Sequence, residues 1–153
     1  MFTAFYSGYF PVAPGTVGTL IAMGIYILEY SFFGSNSWMV NLLFVAVFIY
    51  PSIRLGDAGE EFFGEKDPPE VVLDEVMGYW ISVLFYPFDW RIALIAFFIF
   101  RAMDIVKPYP TKKLQKLRGG LGVMMDDYIA GVYTNILLLI IVIVSYYVGS
   151  PIY

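Results

Sequence analysis

The sequence predicts an all-helical bundle embedded in a membrane, with about five embedded helices in a single domain over residues 1–153. Three observations predict it. The composition is 59% hydrophobic and only 14% charged, against about 25% charged residues in soluble domains. Apolar runs recur along the chain between Pro, Gly and charged stretches, each near the ~20 residues that cross a ~30 Å hydrocarbon layer. The few charges are gathered at a small number of positions, among them Asp74 and Glu75 in VVLDEVMGYW. An ionised side chain inside hydrocarbon costs at least ~2.5 to 3.5 kcal/mol, so acids placed there are by default partnered and functional.

The N-terminal MFTAFYSGYF has no Lys or Arg before its apolar run and no small-residue cleavage site, so it does not read as a removed signal peptide. Its aromatics suit the headgroup level of a bilayer. In PVAPGTVGTL, Pro14 and Gly15 break the chain just before Thr16. Thr16 is placed to cap the helix that follows; the amides of that helix start are alternatively a phosphate site. The Lys and Gly spacing of a P-loop are absent. A first span runs from about Val17 to Phe33, interrupted only by Glu29. The Gly34-Ser35-Asn36-Ser37 turn reverses the chain into a second span, about Trp38 to Ile53.

The polar segment from Arg54 to Glu70 starts as a short helix pattern, ends at Pro68-Pro69, which no helix interior tolerates, and is expected in water or at the interface. A third span begins around Val71 and ends near Pro87. Leaving Asp74 and Glu75 in water would keep only Val76 to Tyr86, about 16 Å of helix. Either the pair sits within the membrane boundary or the bilayer thins there, and both put the acids in a cleft between helices. After the Pro87-Phe88-Asp89 turn, a fourth span covers about Trp90 to Val106. Pro108-Tyr109-Pro110 and the basic loop TKKLQKLRGGLG lead into a fifth, about Tyr128 to Val148, which carries no charge.

Charge fixes the orientation of these spans. Of nine basic residues, Arg54, Lys66, Arg101, Lys107, Lys112, Lys113, Lys116 and Arg118 fall on the side of the N-terminus and only Arg91 on the other. That side is read as cytoplasmic, with the C-terminus facing out. The same count of spans brings Thr16, Glu60, Asp74, Glu75, Asp104, Lys107, Asp126 and Asp127 to the cytoplasmic helix ends.

A net charge of -4 gives no basic field for nucleic acid. The chain has no cysteine and no histidine, which excludes thiolate and imidazole chemistry and leaves acid-base work to carboxylates, lysine, tyrosine or a metal ion. Two unit charges 4 Å apart repel by ~4 kcal/mol at an effective dielectric near 20, so converging carboxylates need protons or cations. An all-oxygen site suits a hard ion, Mg²⁺ first. Asp74-Glu75 and Asp126-Asp127 are adjacent pairs at expected helix starts, where the macrodipole favours negative charge. Neighbouring side chains diverge by about 100°, so one of each pair can bind metal while the other bonds to protein or water. Arg101, Asp104 and Lys107 recur at i, i+3 and i+6 on one face, either as a salt-bridge ladder or to present two cations to a phosphate beside a metal held by Asp104. Gly119, Gly120 and Gly122 form either a flexible linker or a loop that closes on a headgroup phosphate. Together these residues suit hydrolysis of a lipid phosphomonoester.

PGTVGT at 14–19, KDPPEVVLDEVMGYW at 66–80, FRAMDIVKPYP at 100–110 and GGLGVMMDDYIAG at 119–131 together resemble the phosphatidylglycerophosphatase A family, in order and over nearly all of the chain. Glu60 and Asp67 also match acidic positions of the family pattern. The resemblance implies a multi-pass enzyme of the bacterial inner membrane, Mg²⁺-dependent, with its site on the cytoplasmic side. Such an enzyme removes the terminal phosphate of phosphatidylglycerophosphate to leave phosphatidylglycerol. On this reading Asp74, Glu75, Asp126 and Asp127 are the principal Mg²⁺ ligands or the general base, with Asp104 and Glu60 next. Lys107, Arg101 and the group around Thr16 hold the phosphate. One rival is a small cation transporter or channel subunit, which calls for acids near the midplane of several spans. Another is a lipid-headgroup transferase, whose DGxxAR signature is missing.

Overall fold

The computed structural model describes Thr3, residues 7–11 and residues 13–152. Phe2, Phe5 and Tyr6, expected at the headgroup level, lie outside the described residues. Among the described residues all the regular structure is helical. Helices α1 (Pro14–Phe33), α2 (Ser37–Phe63), α3 (Leu73–Ser82), α4 (Trp90–Val106) and α6 (Gly120–Tyr147) stand at the five expected runs, with the single turn α5 (Thr111–Leu114) before the last. Their bounds depart from expectation in ways that build the site.

Helix α1 opens at Pro14, not after Thr16. Proline has no N–H to lose and a φ already set for the first helical position, so Thr16 falls inside the first turn and caps nothing. The N-cap is Ala13, in left-handed backbone at φ 51° with no side-chain cap. Helix α2 does not stop at Ile53 either. It runs on without a break through residues 54–63, the start of the polar segment, where a short helix is expected but not its continuity with the second span, and closes on Gly64 at φ 72°. Pro51 lies inside it and removes one ladder hydrogen bond. Nearby, the hydroxyls of Ser52 and of Tyr128 from α6 donate to the Ile49 carbonyl at 2.9 and 3.3 Å.

Helix α3 is the centre of the bundle, touching α1, α2, α4 and α6. All residues from Val76 to Ser82 are buried, as a helix apolar on every side must be. The expected span to Pro87 is not there: α3 has ten residues, about 15 Å, half of a hydrocarbon layer. A helix that ends inside a core leaves carbonyls without partners. Asn135 of α6 meets them, its Nδ2 donating to Ile81, Ser82 and Leu84 carbonyls at 3.3, 3.1 and 2.9 Å. Small residues let α3 and α6 approach closely. A Cβ on Gly78 would sit 2.6 Å from the Phe100 ring and 2.8 Å from the Asp127 carbonyl oxygen.

Helix α6 begins eight residues before Tyr128, at Gly120. Asp57 of α2 accepts from the Gly120 N–H at 2.6 Å, and a Cβ on Gly56 would lie 2.9 Å from Gly120 Cα. The glycine stretch is therefore a helix start seated on α2, neither a loose linker nor a loop over a phosphate. Two helical stretches, Pro14–Phe63 and Gly120–Tyr147, are long and apolar enough to cross a membrane by length and composition. The first comprises α1 and α2, which pack on one another.

Candidate active site

The chain brings six of its acids together with Arg101 and Lys107 at one end of the bundle, where the starts of α1 and α3 meet the end of α4 and the second turn of α6. They line a cavity of about 300 Å³. Asp74 and Glu75 enter it from the first turn of α3, where the helix dipole favours anions. Asp126 and Asp127 lie nearly two turns inside α6, because that helix starts early, so the dipole gives them no such support. Asp104 comes from the last turn of α4, and Lys107 terminates that helix in left-handed backbone at φ 47°, ψ 67°. The Pro68-Pro69 segment adds Asp67 at φ 53°.

Oxygens of Asp74, Glu75 and Asp127 all lie within 4.8 Å of one another. At that spacing each pair repels by about 3 to 4 kcal/mol at an effective dielectric of ~20. Asp74 Oδ1 and Glu75 Oε2 are buried without a hydrogen-bond partner, a costly state for a charged acceptor. The cations do not balance the acids: among the described residues six carboxylates (Asp67, Asp74, Glu75, Asp104, Asp126, Asp127) face Arg101 and Lys107 across the cavity. Arg101 Nη1 is 2.8 Å from Asp104 Oδ2 and 3.9 Å from Glu75 Oε1. The Lys107 ammonium pairs with Asp126. Burial works to lower the Lys107 pKa, but the hydrogen bond and charge of Asp126 outweigh it and the net direction is upward. Lys107 therefore carries its charge at neutral pH.

Asp74, Glu75 and Asp127 form the central trio, with Asp104, Asp126, Arg101 and Lys107 on the same cavity. The second acidic pair divides, Asp127 in the trio and Asp126 on Lys107; the first does not, since both its members enter the trio. The 101-104-107 row is tied down by ion pairs along its length. Glu60 does not reach this cavity. It accepts from the Asp67 backbone N–H at 3.1 Å and so holds in place the segment that does. Thr16 is not on the cavity wall, because the helix starts two residues earlier. Its neighbours Pro14 and Gly15 take that position.

Two features escaped the sequence reading. Gly15 has to lack a side chain, since its Cβ would run into the Glu75 carboxylate and come within 3.2 Å of Arg101 Nη1; PGT at a helix start was the available signal, read as a breaker. The other is strain. Among the described residues, four other than glycine have positive φ, and three of them, Ala13, Asp67 and Lys107, line this cavity. Such backbone costs about 1 to 3 kcal/mol per residue and collects at functional sites.

A helical bundle with clustered carboxylates beside an arginine and a lysine in one cleft has the make-up of an enzyme acting on a phosphate ester. Residues 1–142 match the family described as phosphatidylglycerophosphatase A, and the chain belongs to that family. It is similar to a protein of Bacteroides thetaiotaomicron named as a proposed phosphatidylinositol-3-phosphatase, at 43% identity over 141 residues, 89% of this chain and 87% of the other. It is also similar to phosphatidylglycerophosphatase A of Escherichia coli, 35% identical over 130 residues (84% and 73%), and of Haemophilus influenzae, 33% over 134 residues (86% and 80%). No solved structure matches it significantly. The chain is thus a phosphoric monoester hydrolase.

Proposed function

We propose that the chain is a membrane-embedded, Mg²⁺-dependent phosphatase that removes the terminal phosphomonoester of phosphatidylglycerophosphate, giving phosphatidylglycerol and phosphate, at the cytoplasmic face of a bacterial inner membrane. The observation that carries this reading is the meeting of Asp74, Glu75 and Asp127 with Arg101 and Lys107 in one cavity. Family membership points to the substrate.

An all-carboxylate donor set with orphaned buried oxygens fits a hard divalent cation. Asp74, Glu75 and Asp127 would hold it, with Asp104 and Asp126 adjoining. When bound, Mg²⁺ supplies the positive charge that lets the acids coexist and that polarises phosphate oxygens. Arg101 and Lys107 orient the monoester and stabilise charge that grows on its oxygens. A cavity carboxylate takes a proton from the attacking water as the new P–O bond forms, the ester P–O bond breaks, and the departing glycerol oxygen is protonated. Water is preferred to an aspartate as nucleophile because the chain lacks a DxDxT pattern.

Membrane embedding is supported by the two long apolar stretches and by large apolar side chains on the outside of the bundle, such as Phe32, Leu43, Phe98 and Ile105, which in water would form an unstable surface. A second substrate, a phosphatidylinositol 3-phosphate, is favoured by the name of the Bacteroides relative.

The test is phosphate release by purified protein from both lipids and from soluble phosphomonoesters, with Mg²⁺ or EDTA, beside a cation-flux assay in liposomes. Release from phosphatidylglycerophosphate ahead of the others, abolished by EDTA, is expected. Flux without hydrolysis, or release indifferent to chelation, overturns the reading.

A further inference from the structure

A second hollow lies against the acid cleft and has the opposite charge. It is an open depression of about 370 Å³ lined by Lys66, Lys112, Lys116, Asp67 and Gln115. Asp67 lines both hollows, so they share one wall, and Gln115 Nε2 fixes that wall by donating to Asp67 Oδ2 at 2.8 Å. Three ammonium groups here face one carboxylate, where the cleft next door has six carboxylates to two cations. The three lysines are not equivalent. Lys66 donates to the Leu117 carbonyl at 3.1 Å, which braces the loop. Lys112 and Lys116 are exposed, four residues apart in the turn around α5, and make no ion pair among the described residues. Their neighbour Lys113 is turned away, over the Tyr109 ring at 4.9 Å from its centroid.

Two cations without an ion-pair partner among the described residues make this hollow attractive to an anion. The proposed substrate supplies a second anion. A phospholipid with a phosphorylated headgroup carries a phosphomonoester at its tip and a phosphodiester one headgroup nearer the acyl chains, and here one residue separates the two hollows. We propose that the hollow is a subsite for that phosphodiester, with Lys112 and Lys116 determining specificity for lipids that bear both phosphates. This rests on the phosphatase reading above, and it explains selectivity that the acid cleft alone does not give, since that cleft meets only the monoester.

The test uses the full chain in nonionic detergent and two variants, Lys112→Gln/Lys116→Gln and the charge-keeping Lys112→Arg/Lys116→Arg. One arm measures kcat/KM for phosphatidylglycerophosphate and for phosphatidic acid, which has a monoester and no diester. In the Gln variant the ratio of the two is expected to fall about tenfold or more, the scale of lost charge-assisted hydrogen bonds, and to recover in the Arg variant. An unchanged ratio overturns the subsite. The other arm needs no turnover: calorimetric titration with monomeric short-chain phosphatidylglycerol, which has the diester alone. Binding by the unaltered chain, weakened about tenfold in the Gln variant, is expected. No binding, or equal binding by both, overturns the proposal, as does a loss seen when the same titration is run with phosphatidylglycerol vesicles but not with the monomeric lipid, which would make the lysines a bilayer contact. If no lipid is hydrolysed, the phosphatase reading fails while this arm still decides the subsite.

Discussion

Asp127 sits where three carboxylates crowd, and no cation among the described residues pairs with all of them. Asp127→Asn keeps the shape and removes one charge, so it is expected to abolish phosphate release while the detergent-solubilised protein keeps its helical circular dichroism and its melting transition. Normal turnover by that variant would defeat the carboxylate site. Lys107 has a different part. Its left-handed backbone turns the chain out of α4, and its ammonium pairs with Asp126 on the cavity wall. Lys107→Ala is expected to lower kcat/KM by about 1.5 to 3 kcal/mol, the range of a charged hydrogen bond; steady-state kinetics with unchanged kcat/KM would make it a helix end only. The residue types at this site were legible in the sequence, since acids within apolar runs need a reason. The strained backbone of Ala13, Asp67 and Lys107 was not, because φ above zero leaves no mark on a residue that is not glycine.

At the scale of elements, α3 depends on its neighbours. Ten residues make a marginal helix alone, and this one ends inside the bundle with its last carbonyls on Asn135. Asn135→Leu is expected to destabilise the fold by about 1 to 3 kcal/mol, the cost of buried acceptors left unmet, read as a lowered midpoint in thermal unfolding. Helix α4 is fixed at its start by Asp89, which accepts from the Arg91 N–H at 2.7 Å and is held in a fork by the Arg91 side chain at 3.0 and 2.9 Å. That hydrogen-bonded fork, working against the opposing effect of burial, keeps the Asp89 carboxyl below its usual pKa. A lowered folded pKa contributes stability above the unfolded value of about 4 and loses it as pH falls through the folded value. Asp89→Ala is expected to cost about 1 kcal/mol at neutral pH and less in acid, where melting curves of the two proteins should converge. Existence of five of the helices was legible from apolar runs. Their ends were not, because Pro14, Asp57 and Asn135 set them through contacts distant in sequence or through a proline read as a stop.

For the molecule as a whole, the proposed orientation puts the acid cleft and the basic loop on one side and the Gly34–Asn36 turn on the other. The chain has no cysteine, so single cysteines placed at Ser35 and at Arg118 can be labelled separately in sealed vesicles. Opposite accessibility is expected, and labelling of both from one side would refute the orientation. The sequence by itself determined the helical class, the family and the set of residues from which a site could be made, because composition, periodicity and the four short motifs are properties of the linear chain. The tertiary structure alone decided which of those residues meet. Only packing could send Asp126 to Lys107 and leave Asp127 with Asp74 and Glu75, turn Glu60 into a support for Asp67, and shorten the central helix to half a bilayer. Those outcomes depend on where one helix crosses another, and a crossing point is fixed by paired small residues such as Gly78 and Gly131 that no single stretch of sequence contains.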